Sequence, residues 1–327
     1  MRVLLLGATG TIGQATAAAL VRDGHEVVCL VRDKSIAQRN DLAVKLQQQL
    51  AGTKLQFGDA LNVASCAKAE WLQPSFDALV SCLASRNGTP RDAWAIDYQA
   101  HADWLTLAVA KGIRHFVVLS ALCVQKPLLG FQQAKLAFEK ELMASGLTYS
   151  IVRPTAFFKS LSGQVKRLKQ GKPFLLFGDG QLTSCKPISD HDLGQFMAQC
   201  LTDRQLQNTI LPIGGPGPAV TPLQQGEYLF ELMGMKPQYK RVPVALMDTV
   251  IGMLNLLGKV MPALADKAEL ARIGRYYATE SMLVWDQEKQ AYDEQATPSF
   301  GEETLFEHYK RMVENNIDVP LGEHSVF

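Results

Sequence analysis

Gly7, Gly10 and Gly13 punctuate the run Gly7-Ala8-Thr9-Gly10-Thr11-Ile12-Gly13, and the chemistry open to such a run is the gripping of an anion by backbone N–H groups. Gly7 lets the chain turn sharply, Gly10 lets the backbone approach a pyrophosphate, and Gly13 lets a following helix lie close to the sheet. The backbone of Gly7, Thr9, Gly10, Thr11, Ile12 and Gly13 is therefore expected to hold the phosphates of a dinucleotide. Arg32 supplies the second chemical cue. An acid at the end of the second strand would bind the ribose 2′-hydroxyl of NAD, whereas an Arg there accommodates the 2′-phosphate of NADP. Arg32 is the first polar residue after that strand, so NADPH is the expected cofactor, with the adjoining Asp33 the one residue that argues for NAD.

The elements that must position these residues follow from the pattern. Apolar runs at 2–6 and 26–31 flank a helix predicted over 14–23, which makes strand, glycine turn, helix, strand. Further strands are expected at 54–57, 78–83, 115–120 and 148–152, with helices over 91–111 and 132–145. Such alternation implies a parallel sheet covered on both faces. Ligands sit beyond the carboxyl ends of such strands, which points to Ala84 after the fourth strand and Ser120 at the end of the fifth. Asp59, after the third, is either an adenine contact or the cap of the next helix. Within 91–111 the aromatic residues recur at near-helical spacing as core, and Asp97 and Tyr98 are the two residues that could face a pocket. Beyond Pro154 the chain changes character, with a helix expected over 157–170, strands at 174–177 and 208–213, and Thr221-Pro222 opening a helix in the favoured cap and N1 order. The fold class is thus α/β, a Rossmann-type doubly wound parallel sheet in 1–154 with a smaller C-terminal α+β substrate region in 155–327, partly integrated with the first.

Composition narrows the function. With 33 Lys and Arg against 32 Asp and Glu, nothing points to a nucleic-acid partner. The six cysteines lack metal-ligand spacing and read as free thiols in a reducing compartment, so no metal is expected. The most apolar stretch, 244–264, is interrupted by Asp248, Lys259 and Pro262, so it is no span; it is expected as an amphipathic helix covering the core or the substrate pocket, in preference to a membrane-surface helix. A strand beginning at Arg2 leaves no room for a leader, and the expected location is the cytoplasm.

Reduction by a nicotinamide also needs a group near the substrate that delivers or relays a proton. In short-chain dehydrogenases this falls to a Ser on the fifth strand and to a Tyr and Lys four residues apart on the next helix. Ser120 and Lys135 stand at two of those places, and Phe131 stands at the third. Phenylalanine has no proton to give, so ordinary carbonyl reduction is not available. The pattern resembles the atypical short-chain dehydrogenases of the isoflavone-reductase and NmrA type. Longer blocks, VSCLAS (80–85), WAIDYQA (94–100), CVQKPLL (123–129), YSIVRPTAFFKSL (149–161), LPIGGPG (211–217) and RIGRYYATESMLV (272–284), resemble the divinyl chlorophyllide a 8-vinyl reductase family over nearly the whole chain.

That resemblance implies NADPH-dependent reduction of the C8 vinyl group of a divinyl chlorophyllide or protochlorophyllide to ethyl, in chlorophyll or bacteriochlorophyll synthesis. Charge delocalised into the macrocycle explains why no tyrosine acid beside a carbonyl is required. Lys135, Tyr98 or bound water would supply the proton, with Ser120 beside them. Phe157, Phe158, Leu128 and Leu129 are candidate walls for a flat ring, and Arg153, Lys159, Arg272 and Arg275 candidate partners for its carboxylate. Family members with plastid leaders exist, and their absence here implies a bacterial source, with peripheral association at photosynthetic membranes. Two other readings share the motifs: a non-catalytic NADP-binding regulator of the NmrA type, and a reductase of another conjugated alkene.

Overall fold

The computed structural model describes residues 1–32, 44, 46–259 and 261–316. Seven parallel strands form the central sheet in the order β3-β2-β1-β4-β5-β6-β8, where β1 is Arg2–Leu6, β2 Glu26–Val31, β3 Lys54–Phe57, β4 Ala78–Ser81, β5 His115–Leu119, β6 Thr148–Pro154 and β8 Thr209–Ile213. Side chains alternate across β1: Val3 and Leu5 pack into one apolar core, Leu4 and Leu6 into another. Helix α1 (Thr11–Arg22) covers the first face, while α2 (90–110) and α3 (Gly130–Ala144) cover the second through Trp104 and Phe138.

Several boundaries differ from the sequence expectation, each for a local reason. Helix α1 starts at Thr11 and not at Gln14, because Gly10 takes the N-cap conformation and the chain turns directly into the helix. β6 runs on through Pro154, paired with β8 at Arg153↔Pro212 and Pro154↔Ile213, so two prolines sit at the strand ends where a missing N–H costs least. The helix expected over 157–170 breaks into Phe158–Leu161 and Gly163–Lys169 where the Ser162 hydroxyl donates to the Phe158 carbonyl. In α2 the segment Trp94–Ala100 is π-helical, and one ring nitrogen of His101 lies 2.8 Å from the Ile96 carbonyl oxygen.

The C-terminal half completes the sheet as well as standing beside it. Strand β8 is its seventh member, and α4 (Asp190–Gln199), capped by the Ser189 hydroxyl, lies on α1. The crossing is close: a Cβ at Gly194 would fall 2.5 Å from the Ala15 carbonyl carbon. Helix α5 (Pro222–Leu232) carries the expected Thr221 cap. Strands β7 (Phe174–Phe177) and β9 (Tyr239–Val242) pair in parallel, and β10 (Val284–Asp286) with β11 (Ala291–Asp293) antiparallel. A helical hairpin of α6 (Val244–Gly258) and α7 (Pro262–Thr279), followed by α8 (Leu305–Glu314), closes this region. Its core gathers Phe158, Phe174, Leu229, Phe230 and Tyr309.

Candidate active site

A cavity of about 830 Å³ opens beyond the carboxyl ends of β1, β4, β5 and β6 and extends into the C-terminal half. At its floor lie Gly10, Thr11, Ile12 and Gly13. Gly7 has φ +73°, and a Cβ there would sit 2.6 Å from the Cys82 carbonyl, so only glycine fits. At Gly13 a Cβ would meet the Gly7 carbonyl oxygen at 2.1 Å, whereas at Gly10 the nearest atom is 3.4 Å away. The turn is therefore closed behind and open toward the cavity. No side chain caps α1 and no acid stands in its first turn. Its leading N–H groups are left to an anion, which fits the pyrophosphate of a dinucleotide.

Lys159 comes from the other half of the molecule to the same place. Its Nζ donates to Thr11 Oγ1 at 3.0 Å, and both residues line the cavity. Sequence reasoning offered Lys159 as a carboxylate partner of the substrate; the structure puts its ammonium beside the phosphate-binding turn. Asp190 lines the cavity nearby with Oδ1 buried and unpartnered among the described residues. Burial pushes its carboxyl up to about 6, against the pull of Lys159 and with the help of Glu303.

Lys135 is held rather than free. Its Nζ lies 3.0 Å from Asp97 Oδ1, with the two side chains 10% and 0% exposed. Asp97 Oδ1 also accepts the Ser85 N–H at 3.2 Å, and Asp97 Oδ2 has no partner among the described residues. Lys135, Asp97, Ser85 and Ala84 all border the cavity, and Asp97 is carried there by the π-helical turn. The π turn matters because it rotates the helix by an extra residue per turn, bringing Asp97 inward. Tyr98 goes the other way: its hydroxyl donates to Glu141 at the surface, which removes it from the cavity lining and holds the phenol above its ordinary range.

Ser120 also lines the cavity, and its hydroxyl donates to Glu139, a residue 1% exposed. Arg153 closes this group by donating through Nε at 3.2 Å and through a terminal nitrogen to the same carboxylate. Arg153 is thus committed to the interior and absent from the lining. Arg275 pairs with Asp248 on the outer side of the α6–α7 hairpin, and Arg272 with Glu269 and Asn255. Among the described residues the cations of the lining are Lys135 and Lys159. Phe157 lines the cavity, but Phe158 is core, with its ring 5.2 Å from that of His308. Leu128 is exposed and Leu129 buried outside the lining. Thr9 and Arg32 are exposed, at the turn and at the end of β2. Asp59 turns its carboxylate to the Leu61 N–H, while the cap of the next helical turn is Asn62.

Much of the remaining lining is apolar and comes from distant segments, Phe131, Phe177, Leu182, Leu270, Ile273 and Tyr277, with Gln164, Gln225 and Glu280 among the polar residues between them. Such a pocket suits a flat apolar ligand next to a dinucleotide.

The NAD(P)H-binding family matches residues 7–204. Over 332 residues the chain is 48% identical to the chloroplastic divinyl chlorophyllide a 8-vinyl-reductase of Cucumis sativus, covering 99% of this chain and 79% of that protein. The corresponding protein of Arabidopsis thaliana is 47% identical with the same coverage. The chain belongs to the divinyl chlorophyllide a 8-vinyl-reductase family. Among solved structures, the leucoanthocyanidin reductase–NADPH complex from Vitis vinifera superposes with a TM-score of 0.66 at 16% identity, over 96% of this chain and 100% of that one, which shows the shared fold. In this 8-vinyl-reductase family member, the glycine turn, Ser120, Lys135 and Phe157 line one cavity. Asp97, Asp190 and the α7 residues join them; the first was legible only as one of two alternatives, and the others lie too far along the chain for local spacing to reveal.

Proposed function

We propose that the protein reduces the C8 vinyl group of divinyl chlorophyllide, or of its divinyl protochlorophyllide precursor, to ethyl with NADPH in chlorophyll or bacteriochlorophyll synthesis. The observation that carries this is the apolar cavity of about 830 Å³ continuous with the dinucleotide turn. A redox-sensing regulator of the NmrA type would have no use for such a cavity, and identity of 48% over 99% of the chain favours a divinyl pigment over other conjugated alkenes.

NADPH, when bound, supplies the hydride. The N–H groups of Gly10, Thr11, Ile12 and Gly13 hold the pyrophosphate, with Gly7 and Thr9 shaping the turn and Lys159 adding charge from the opposite wall. Lys135, oriented by Asp97, would hold the nicotinamide ribose, with Ala84 and Ser120 in the same stretch of the cavity lining. Phe157 packs against the macrocycle. Residues 1–154 serve chiefly the nucleotide and 155–327 chiefly the pigment, with β8, α4 and Lys159 lent to the nucleotide side. Mixing the protein with NADPH and divinyl chlorophyllide a should shift the Soret band to the blue as a conjugated vinyl is lost. Folded protein that binds NADPH and leaves the spectrum unchanged would instead support the regulator.

Arg32 is exposed at the end of β2, where a 2′-phosphate would lie. Arg32→Ala should raise KM for NADPH about tenfold, the worth of one charged hydrogen bond, and leave KM for NADH unchanged. Equal effects on both would return Arg32 to an ordinary surface role.

No helix among the described residues is long and apolar enough to cross a membrane. Helix α6 nevertheless turns Leu246, Val250, Met253, Leu256 and Leu257 to solvent, between exposed Lys240 and Arg241 on one side and Lys259 on the other. An apolar stripe with basic flanks suits the surface of an anionic bilayer. Peripheral association with a photosynthetic membrane through α6 therefore belongs to the proposal. Sedimentation with anionic vesicles should fall several-fold in Met253→Glu/Leu256→Glu, and an unchanged bound fraction would refute it. The plant relatives are named chloroplastic, and the six free cysteines fit a reducing compartment.

A further inference from the structure

The reaction needs a proton, and the side chain that supplies it elsewhere in the superfamily is replaced here by Phe131. Phe131 lines the cavity, and α7 packs directly beside it. A Cβ at Gly88 would meet Ile273 Cδ1 at 2.9 Å and Phe131 Cδ1 at 3.5 Å, so these two side chains flank one point of the cavity wall. Tyr277 follows Ile273 on the same face of α7, one turn on, and also lines the cavity.

Its hydroxyl is poorly satisfied. Among the described residues it meets the Sγ of Cys123 at 3.9 Å, a weak acceptor. Neighbouring phenols are spoken for: Tyr276 donates to the Cys123 carbonyl at 2.9 Å, Tyr292 to Glu280 and Tyr309 to Gln225 at 3.0 Å. We propose that Tyr277 is the acid of this site, delivering its phenolic proton to the reduced pigment from the part of the cavity wall that adjoins Phe131.

The step balances. The vinyl π bond opens; one terminus takes the hydride that the nicotinamide supplies, and the conjugated carbanion left behind takes the Tyr277 Oη proton. The phenolate then regains a proton from water through the open mouth of the cavity. Burial, with Cys123 beside it, holds the Tyr277 phenol well above its ordinary range, so it stays protonated until a strong base such as a carbanion forms next to it. Lys135 lies within electrostatic reach of Cys123, which places a cation near the phenolate as it forms.

The proposal rests on the vinyl-reductase reading and is tested apart from it with Tyr277→Phe. Expected are a fall in kcat of about a hundredfold or more and loss of the solvent deuterium isotope effect on single turnover. NADP⁺ and pigment dissociation constants, read by fluorescence quenching without turnover, should remain those of the wild type. A kcat within threefold of wild type, or a loss carried wholly by weaker pigment binding, would overturn it. Should Tyr277→Phe fail to fold, a fluorinated tyrosine at position 277 keeps the shape and lowers the phenol pKa: it should change the isotope effect, and an unchanged one would overturn the assignment. Wild-type protein that does not reduce the pigment at all would sink the reductase reading itself, a different outcome from an active Tyr277→Phe variant.

Discussion

Lys135→Met should lower pigment turnover by about a hundredfold or more and at the same time destabilise the fold by about 3–5 kcal/mol. Both effects come from one geometry. The Lys135 ammonium lies 3.0 Å from a fully buried Asp97 carboxylate whose second oxygen already lacks a partner among the described residues. Removing the cation leaves that buried charge without its counter-ion. A lysine of this kind on an open helix face would show the loss of turnover alone. Asp97→Asn in the same chain separates the two contributions: the amide still accepts from the Ser85 N–H, so Lys135→Met/Asp97→Asn should regain most of the stability while staying inactive. Chemical denaturation gives the first quantity and pigment absorbance the second. A single variant with native stability would mean that the pair is solvated and that the lysine was never held by Asp97.

Arg153→Met should unfold the protein more than it impairs pigment binding. Glu139 is 1% exposed, accepts from the Ser120 hydroxyl and from two nitrogens of Arg153, and has no other cation against it among the described residues. Loss of the guanidinium is expected to cost about 3–5 kcal/mol, the usual penalty for breaking a buried pair from one side. Arg153→Met/Glu139→Gln should recover part of it. A raised KM for the pigment with unchanged stability would instead return Arg153 to the substrate's carboxylate.

These two residues show what local reading reaches. The glycine turn was legible because its task is done by the backbone over seven consecutive residues, and its context, a buried strand before and a helix after, lies within the same short stretch. Strands β2 and β3 were legible to the residue because apolar runs bounded by polar ones admit few other registers. Lys135 and Ser120 were found because they stand where the short-chain dehydrogenase pattern puts its Lys and Ser, on the helix after the fifth strand and at that strand's end. Side-chain direction was not. Choosing between Asp97 and Tyr98 depends on a π-helical turn that no hydrophobic period announces, and it sent the carboxylate inward and the phenol to Glu141. Arg153 was offered to the substrate because a cation after a strand looks available; its partner Glu139 sits on α3, and only the packing of α3 against β6 brings them together. Phe157 and Phe158 were alike in sequence; in the structure Phe157 is the extended N-cap and Phe158 the first residue of the helix, so their side chains part. Lys159 and Tyr277 reach the cavity from segments far from the residues they meet, Thr11 and Cys123, which is long-range information that one chain's spacing does not contain.

The central claim is that one cavity sets a nicotinamide directly against a divinyl pigment. A single turnover with NADPH carrying deuterium at the transferable C4 position, followed by mass spectrometry of the product, tests it most directly. One deuterium in the C8 ethyl group is the predicted result. Reduced pigment without the label, or pigment left unreduced by protein that has bound the labelled cofactor, would contradict the account.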